Sequence, residues 1–285
     1  MKLENERQLI DQAVAGDKNA LETLLCSVQD TVFNLSLRML GMIPDAEDAT
    51  QEILIKVMTH LSAFRQQSGF ATWVFRIAIN HLKDSRRGMF AQHPLSFEMY
   101  GEDIASGREA DVPDMSGGVD HGLLEQELKY ACSNVMLQCL DADSRAVYIL
   151  GTMFRLDSRV AADILEITPE AYRQKLSRAR KKVAAFLGEY CGLSGTGMCA
   201  CGRRTNYAIL THRLDPAHLG FHQMEPCAYG EIMACTQAME QLDDLSQIFA
   251  SFPAYRSPET VAAFIRRMMA SDSFETVLAG QGVPQ

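Results

Sequence analysis

The chain has 285 residues, 22% of them charged and 47% hydrophobic, with a net charge of −9. These proportions are ordinary for a soluble globular protein of one to three modest domains. No apolar run approaches the roughly 18–20 residues of a membrane span, and the opening Met-Lys-Leu-Glu-Asn-Glu-Arg is too polar and acidic for a secretory leader, so a cytoplasmic protein without membrane association is expected.

Residues 45–61 predict the first distinctive helix. Asp45 can cap it, and Glu47 and Asp48 suit its positive end. Ile53, Val57 and Leu61 recur every four residues as a buried stripe, while Asp48, Gln51, Glu52 and Lys56 lie off it as an acidic and polar ridge. A polar loop, Phe64 to Phe70, leads into a second amphipathic helix over 70–87. Trp73, Ile77 and Leu82, with Val74, Ala78 and His81, predict its core side. Arg76, Asn80, Lys83, Arg86 and Arg87 project elsewhere. Such a face can hold a phosphate backbone and read or stack bases; alone, it fits a solvated helix with cations at its C-terminus equally well.

Residues 91–121 carry His93-Pro94, Ser106-Gly107, Pro113 and Ser116-Gly-Gly118 without a sustained apolar period, which predicts a flexible linker. The net charge is −1 over residues 1–90, −6 over 91–121, +2 over 122–187 and −4 over 188–285. The acidity is thus concentrated in the linker and tail.

Residues 122–187 predict a helical domain. Leu124, Leu128, Cys132, Val135 and Cys139 form one stripe, and Asp141 or Asp143 can cap the next helix. Asp157 can cap a short helix from Ser158 to Leu165. After a tight turn at Glu166-Ile167, Thr168 caps a third helix with Pro169 at its first position, where the missing N–H is harmless. Tyr172, Leu176, Ala179 and Val183 face inward; Arg173, Gln174, Ser177, Arg178 and Lys181 face outward. A short helix, a tight turn and a longer basic helix describe a helix-turn-helix. Arg173 and Gln174 can read guanine or adenine edges, while Arg178, Arg180, Lys181 and Lys182 suit phosphates.

The run Asp45-Ala-Glu-Asp-Ala-Thr-Gln-Glu52, the polar loop and the Phe70-Ala-Thr-Trp73 helix resemble region 2 of the bacterial RNA polymerase sigma factors of the extracytoplasmic-function (ECF) group. Gly16 to Leu25 and Leu37 to Gly41 resemble the start of that domain, and Ala161 to Lys182 resembles region 4. Two departures stand out: Glu166 occupies a turn position where the family usually carries Gly, and the helix opening Ser158-Arg-Val-Ala-Ala lacks the acidic residues common there. The resemblance implies core polymerase binding through Asp48, Gln51 and Glu52, −10 element engagement and duplex opening by the helix over 70–87, and −35 binding by the helix-turn-helix. The acidic linker would thread the polymerase main channel, either mimicking nucleic acid or serving as a solubilising spacer.

Residues 188–285 lie outside that pattern and hold five of the eight cysteines: Cys191, Cys199, Cys201, Cys227 and Cys235. Clustered thiols beside Arg203 and Arg204, followed by His212, His218 and His222, point to metal or redox chemistry, with Cys191, Cys199 and Cys201 as candidate ligands of a zinc ion. Ordinary buried thiols are the competing reading. Two amphipathic stretches, Tyr229–Phe249 and Pro258–Met269, complete the tail.

The expectation is an all-α, non-enzymatic sigma factor: region 2 over 1–90, an acidic linker over 91–121, region 4 over 122–187 and a mostly helical, Cys/His-containing extension over 188–285. Its partners would be core polymerase and promoter DNA, with regulation by an anti-sigma factor or by the extension itself. The alternative is a one-component helix-turn-helix regulator that senses metal or redox state through the tail.

Overall fold

The computed structural model describes residues 3–85, 90, 94–108, 112–229 and 244–271. Four helices form the N-terminal part: α1 (Leu3–Val14), α2 (Lys18–Leu40), α3 (Ile43–Thr59) and α4 (Phe70–Asp84). Then come α5 (Phe97–Ala105), α6 (His121–Gln138), α7 (Ala142–Tyr148), α8 (Ser158–Ile164), α9 (Pro169–Tyr190) and α10 (Cys201–Leu210). In the tail, α11 (Asp244–Ala250) and α12 (Glu259–Ala270) accompany a two-stranded antiparallel ladder of β1 (Pro226–Cys227) and β2 (Ala254–Tyr255). The all-α expectation holds, with this ladder as the exception among the described residues.

Local chemistry sets the helix ends. Asp17 accepts from the N–H groups of Asn19 and Ala20 at 2.9 and 3.1 Å and starts α2. Gly41, at φ +89°, closes it by donating to the Leu37 carbonyl. Helix α3 begins two residues before the expected cap, because Pro44 is already suited to a first turn; Asp45 lies in that turn, where it still faces the positive helix end. Asp141, Asp157 and Thr168 cap α7, α8 and α9 as expected.

Three expectations need correction. The buried face of α4 is Phe70, Val74, Phe75, Ala78, Ile79 and Leu82, with Trp73, Ile77 and His81 only half-buried. Helix α4 packs against both α2–α3 and α7–α8, which moves the centre of its apolar stripe. In α6 the buried set is Leu124, Met136 and Leu137 with the polar Glu127, Ser133, Asn134 and Gln138, while Leu128, Cys132, Val135 and Cys139 are half-exposed. The linker, finally, contains α5. Ser96 caps it, and Phe97 and Tyr100 lie on Phe186 of α9 with ring centroids 5.2 and 5.3 Å apart. Gly101 lets the helices close: a Cβ there would stand 2.6 Å from the Tyr190 ring. Nine residues show too little periodicity to reveal such a helix from sequence.

One apolar core runs through α1–α4, α6–α9 and the tail helices, so the segments predicted as separate domains pack together. Arg145 helps to join them. Its guanidinium donates to the carbonyls of Met39 at the end of α2 and of Leu137 and Leu140 at the end of α6. A cation there satisfies orphan carbonyls and meets two negative helix ends. Burial draws its pKa down to about 10.

Asp103 anchors α5 to α10 by accepting from Arg204, Arg213 and Tyr207 at 2.6, 2.8 and 3.3 Å. Burial pushes its carboxyl up, but the hydrogen bonds and charges of Arg213 and Arg204 outweigh this and hold it below the ordinary carboxylate range. A carboxyl depressed in the folded state stabilises above its unfolded pKa, and loses that contribution as pH falls through the folded value. Asp103→Asn is therefore expected to cost about 1–2 kcal/mol at neutral pH, with the gap in Tm to the parent closing below about pH 3; thermal unfolding across pH checks both.

Candidate polymerase and promoter interface

Asp48 is exposed, and Gln51 and Glu52 are half-exposed on the same side of α3. The burial of Ala49, Thr50, Ile53 and Leu54 turns this ridge outward. Glu52 meets His81 of α4 at 3.1 Å, and Lys56 Nζ lies 2.9 Å from the other nitrogen of the same ring. These contacts brace a cleft of about 640 Å³ between the helices, lined by Glu52, Lys56 and His60 on one side and Trp73, Asn80 and His81 on the other. Phe64 and Phe70 flank Trp73, with centroids 5.0 and 6.0 Å from its ring. An aromatic face, an amide and two imidazoles around an open cleft can stack and hydrogen-bond an unpaired base.

The basic residues of α4 divide. Asn80 is exposed at the cleft, whereas Arg76 faces α8, pairing with the Asp163 carboxylate at 3.1 Å and reaching Glu166 at 3.9 Å. It also donates to the Asp163 carbonyl. Lys83 pairs with Asp143 of α7 at 2.5 Å. Two of the predicted phosphate contacts are thus neutralised by the helix-turn-helix side of the molecule. Arg86 and Arg87 lie outside the described residues.

On α9, Tyr172, Leu176, Ala179 and Val183 are buried, and Arg173, Gln174, Ser177, Arg178 and Lys181 share an exposed face. Arg180 is different from its expected role: its guanidinium turns inward to Thr152 and the Gly151 carbonyl. Those groups sit in a π-type turn, Ile149–Met153, which leaves backbone acceptors that a cation can satisfy. The turn before α9 places Glu166 at φ +55°, the left-handed region that glycine adopts at little cost.

Three tail thiols, Cys191, Cys199 and Cys201, come together with one thiol from outside the tail. Cys191 and Cys199 form a backbone bridge, and Cys199 N–H donates to the Tyr190 carbonyl at 2.9 Å. Gly192 and Gly197 permit this approach: a Cβ on Gly192 would fall 2.0 Å from the Cys199 carbonyl oxygen. Cys201 opens α10. A hydrogen bond from the Cys199 thiol draws Cys201 down to about 7 despite burial, helped by the Lys129 charge, and Cys199 is pushed up correspondingly. Cys132 of α6 packs its sulfur 2.8 Å from the Tyr100 hydroxyl, within electrostatic reach of Cys191 and Cys201; burial takes it to about 12. Its i, i+4 neighbours made it look like core; only the packing of α6 beneath the tail reveals its company. Among the described residues no three His, Cys, Asp or Glu side chains are arranged to hold a metal ion, and Cys235 lies outside them.

Residues 24–88, which build α3, α4 and most of α2, match the family model of Sigma-70 region 2. The chain is 29% identical over 184 residues to the RNA polymerase sigma-H factor of Pseudomonas aeruginosa, covering 63% of this chain and 92% of that protein. It is 27% identical over 177 residues to the ECF RNA polymerase sigma factor SigW of Bacillus subtilis, covering 61% and 92%. Residues 24–88 thus match a sigma-factor domain, and the chain is similar to RNA polymerase sigma factors of the ECF group. Among solved structures, a complex of the sigma factor RpoE with the anti-sigma factor NepR from Bartonella quintana aligns with 22% identity and a TM-score of 0.36, covering 56% of this chain and 91% of that one. More than a third of this chain lies outside the matches to these relatives. No described helix is long and apolar enough to cross a membrane.

Glu166→Gly is expected to raise stability by about 1 kcal/mol in denaturant titration, because it relieves the left-handed backbone and loses only a long, exposed ion pair. Among the described cysteines, Cys201 should be alkylated fastest by iodoacetamide near pH 7.5. Cys199→Ala should slow it several-fold by removing the bond that holds the thiolate; peptide mass mapping against time reads both.

Proposed function

We propose that this chain binds core RNA polymerase through the ridge Asp48, Gln51 and Glu52 and directs it to promoters. The match of residues 24–88 to Sigma-70 region 2 carries this reading, and the outward ridge supports it. Phosphodiester chemistry remains the polymerase's, and the sigma factor works in the cytoplasm beside it. The cleft between α3 and α4 takes an unstacked base of the −10 element against Trp73, with Asn80 offering an edge contact and His81 held in place by Glu52 and Lys56. Arg76, Lys83, Arg86 and Arg87 hold the neighbouring phosphates. On the region 4 side, Arg173 and Gln174 read base edges of the −35 element, while Ser177, Arg178 and Lys181 hold its backbone.

The pairing of Arg76 and Lys83 with α8 and α7 gives the reading a conformational requirement. Region 2 must part from the helix-turn-helix before α4 engages DNA. Polymerase binding supplies a differential affinity for the parted state, which is what shifts such an equilibrium. A one-component regulator would leave the region 2 match and the exposed ridge without a role.

The thiol group of Cys132, Cys191, Cys199 and Cys201 supports a redox input rather than catalysis; the zinc reading of Cys191, Cys199 and Cys201 gains no such support, since no three side chains among the described residues are grouped to hold a metal. The acidic linker would thread the polymerase main channel, as a nucleic-acid mimic or a solubilising spacer, once α5 has left its packing on α9.

In a purified system, the chain should bind core polymerase without DNA. Asp48→Lys with Glu52→Lys should weaken this at least about ten-fold, as like charges replace complementary ones. Binding of the isolated variant to −35 duplex should be unchanged. Equal core affinity of variant and parent would remove the ridge from the interface.

A further inference from the structure

One face of α2 carries Asp30, Asn34 and Arg38 at four-residue spacing. Asn34 and Arg38 have no exposed surface, an unusual position for an amide and a cation. Their partners explain it. The Arg38 guanidinium donates to the Pro253 carbonyl at 2.9 Å. The Asn34 amide both donates to the Tyr255 carbonyl, at 2.6 Å, and accepts the Tyr255 N–H, at 2.9 Å. Asp30 accepts from the Ser257 N–H and hydroxyl at 2.8 and 2.7 Å and from Arg256 at 3.1 Å.

The match is one of repeat lengths. Four residues of helix rise about 6 Å, and two residues of extended chain rise about 6.6 Å. Residues 38, 34 and 30 therefore meet 253, 255 and 257 rung by rung, in antiparallel sense. The ladder bonds mainly to backbone groups, so it holds an extended peptide rather than a surface patch. Beyond it, Thr260 donates to Glu47 at 2.8 Å, and Val261, Ile265 and Met269 of α12 are buried against α2 and α3. Glu47 is the immediate neighbour of Asp48 and lies one helical turn before Gln51. The docked segment thus runs along the edge of the ridge assigned to polymerase.

We propose that residues 253–269 are a cis-acting plug: an extended strand read by Asp30, Asn34 and Arg38, followed by an amphipathic helix, which occupies the α2–α3 groove and excludes core polymerase until it is displaced. This rests on the sigma-factor reading above. The apparent affinity for polymerase is then the intrinsic one reduced by the fraction of molecules with the groove empty. The occupant is this chain's own tail, since its backbone satisfies the buried donors and acceptors of α2.

The test keeps regions 2 and 4 unaltered and works in the full chain. Val261→Glu with Ile265→Glu places two carboxylates in the groove and expels α12; Ser257→Ala with Thr260→Ala removes tail-side bonds and loosens it more gently. Hydrogen exchange should show loss of protection over 253–269 while α2–α4 remain protected. Core polymerase should then bind about ten-fold tighter to the first variant and about two- to three-fold tighter to the second, with run-off transcription rising alongside. A peptide of residues 253–270 added to the first variant should reverse the gain. If exchange shows the segment released in either variant and core affinity is unchanged or falls, the segment is a brace and the plug is overturned. If parent and variants alike fail to bind core polymerase, the sigma-factor reading itself falls, and the plug with it.

Discussion

The buried guanidinium of Arg38 is the point on which the architecture turns. A charge removed from water must find hydrogen-bond partners, or the fold carries a penalty of several kcal/mol. Arg38 meets this need with neutral groups from three parts of the chain: Asn134 and Ser133 on α6, the Pro253 carbonyl, and the Tyr229 hydroxyl. Its hydrogen bonds thus tie region 2, the first helix of the following domain and the tail together, beside the apolar core that they share, and give direction where an apolar residue would give only adhesion. Arg145 repeats the device nearby, filling the carbonyl ends of α2 and α6.

This closure has a cost in function. The same packing that completes the core sets α4 against α8, and Arg76 and Lys83 spend their charge on Asp163, Glu166 and Asp143 instead of phosphate. The polar face of α9, with Arg173, Gln174, Ser177, Arg178 and Lys181, stays exposed meanwhile. The two helices predicted to face DNA thus differ: the polar face of α9 is exposed, whereas on α4 Arg76 and Lys83 are paired across to α8 and α7 while the cleft at Trp73 and Asn80 stays open.

Much of this was legible in the residues. The helix-turn-helix has strong local signals, namely Asp157, Thr168 and Pro169 at the starts and a four-residue apolar stripe on α9, and local signals survive folding. The ridge of α3 was equally plain, since its polar residues lie opposite Ile53 and Val57. What failed was anything with two packing partners. Trp73 and Ile77 looked central to a buried stripe, but the second contact of α4 rotated that stripe by about one position. Cys132 looked like core and proved to be the fourth member of a thiol group. Helix α5 was too short to register, and Arg180 looked like a phosphate ligand until a π-type turn claimed it.

By itself, then, the chain's pattern of caps, stripes and charged faces determined the helical class, the helix-turn-helix and the outward polar ridge of α3, because each rests on contacts between residues a turn or two apart. Tertiary structure alone decided that these parts share one core, that Arg76 is occupied, and that Asp30, Asn34 and Arg38 grip residues 253–257. Those contacts join positions far apart in the chain, by 87 residues from Arg76 to Asp163 and by 221 from Asn34 to Tyr255. No periodicity in a sequence encodes which distant backbone a buried amide will meet.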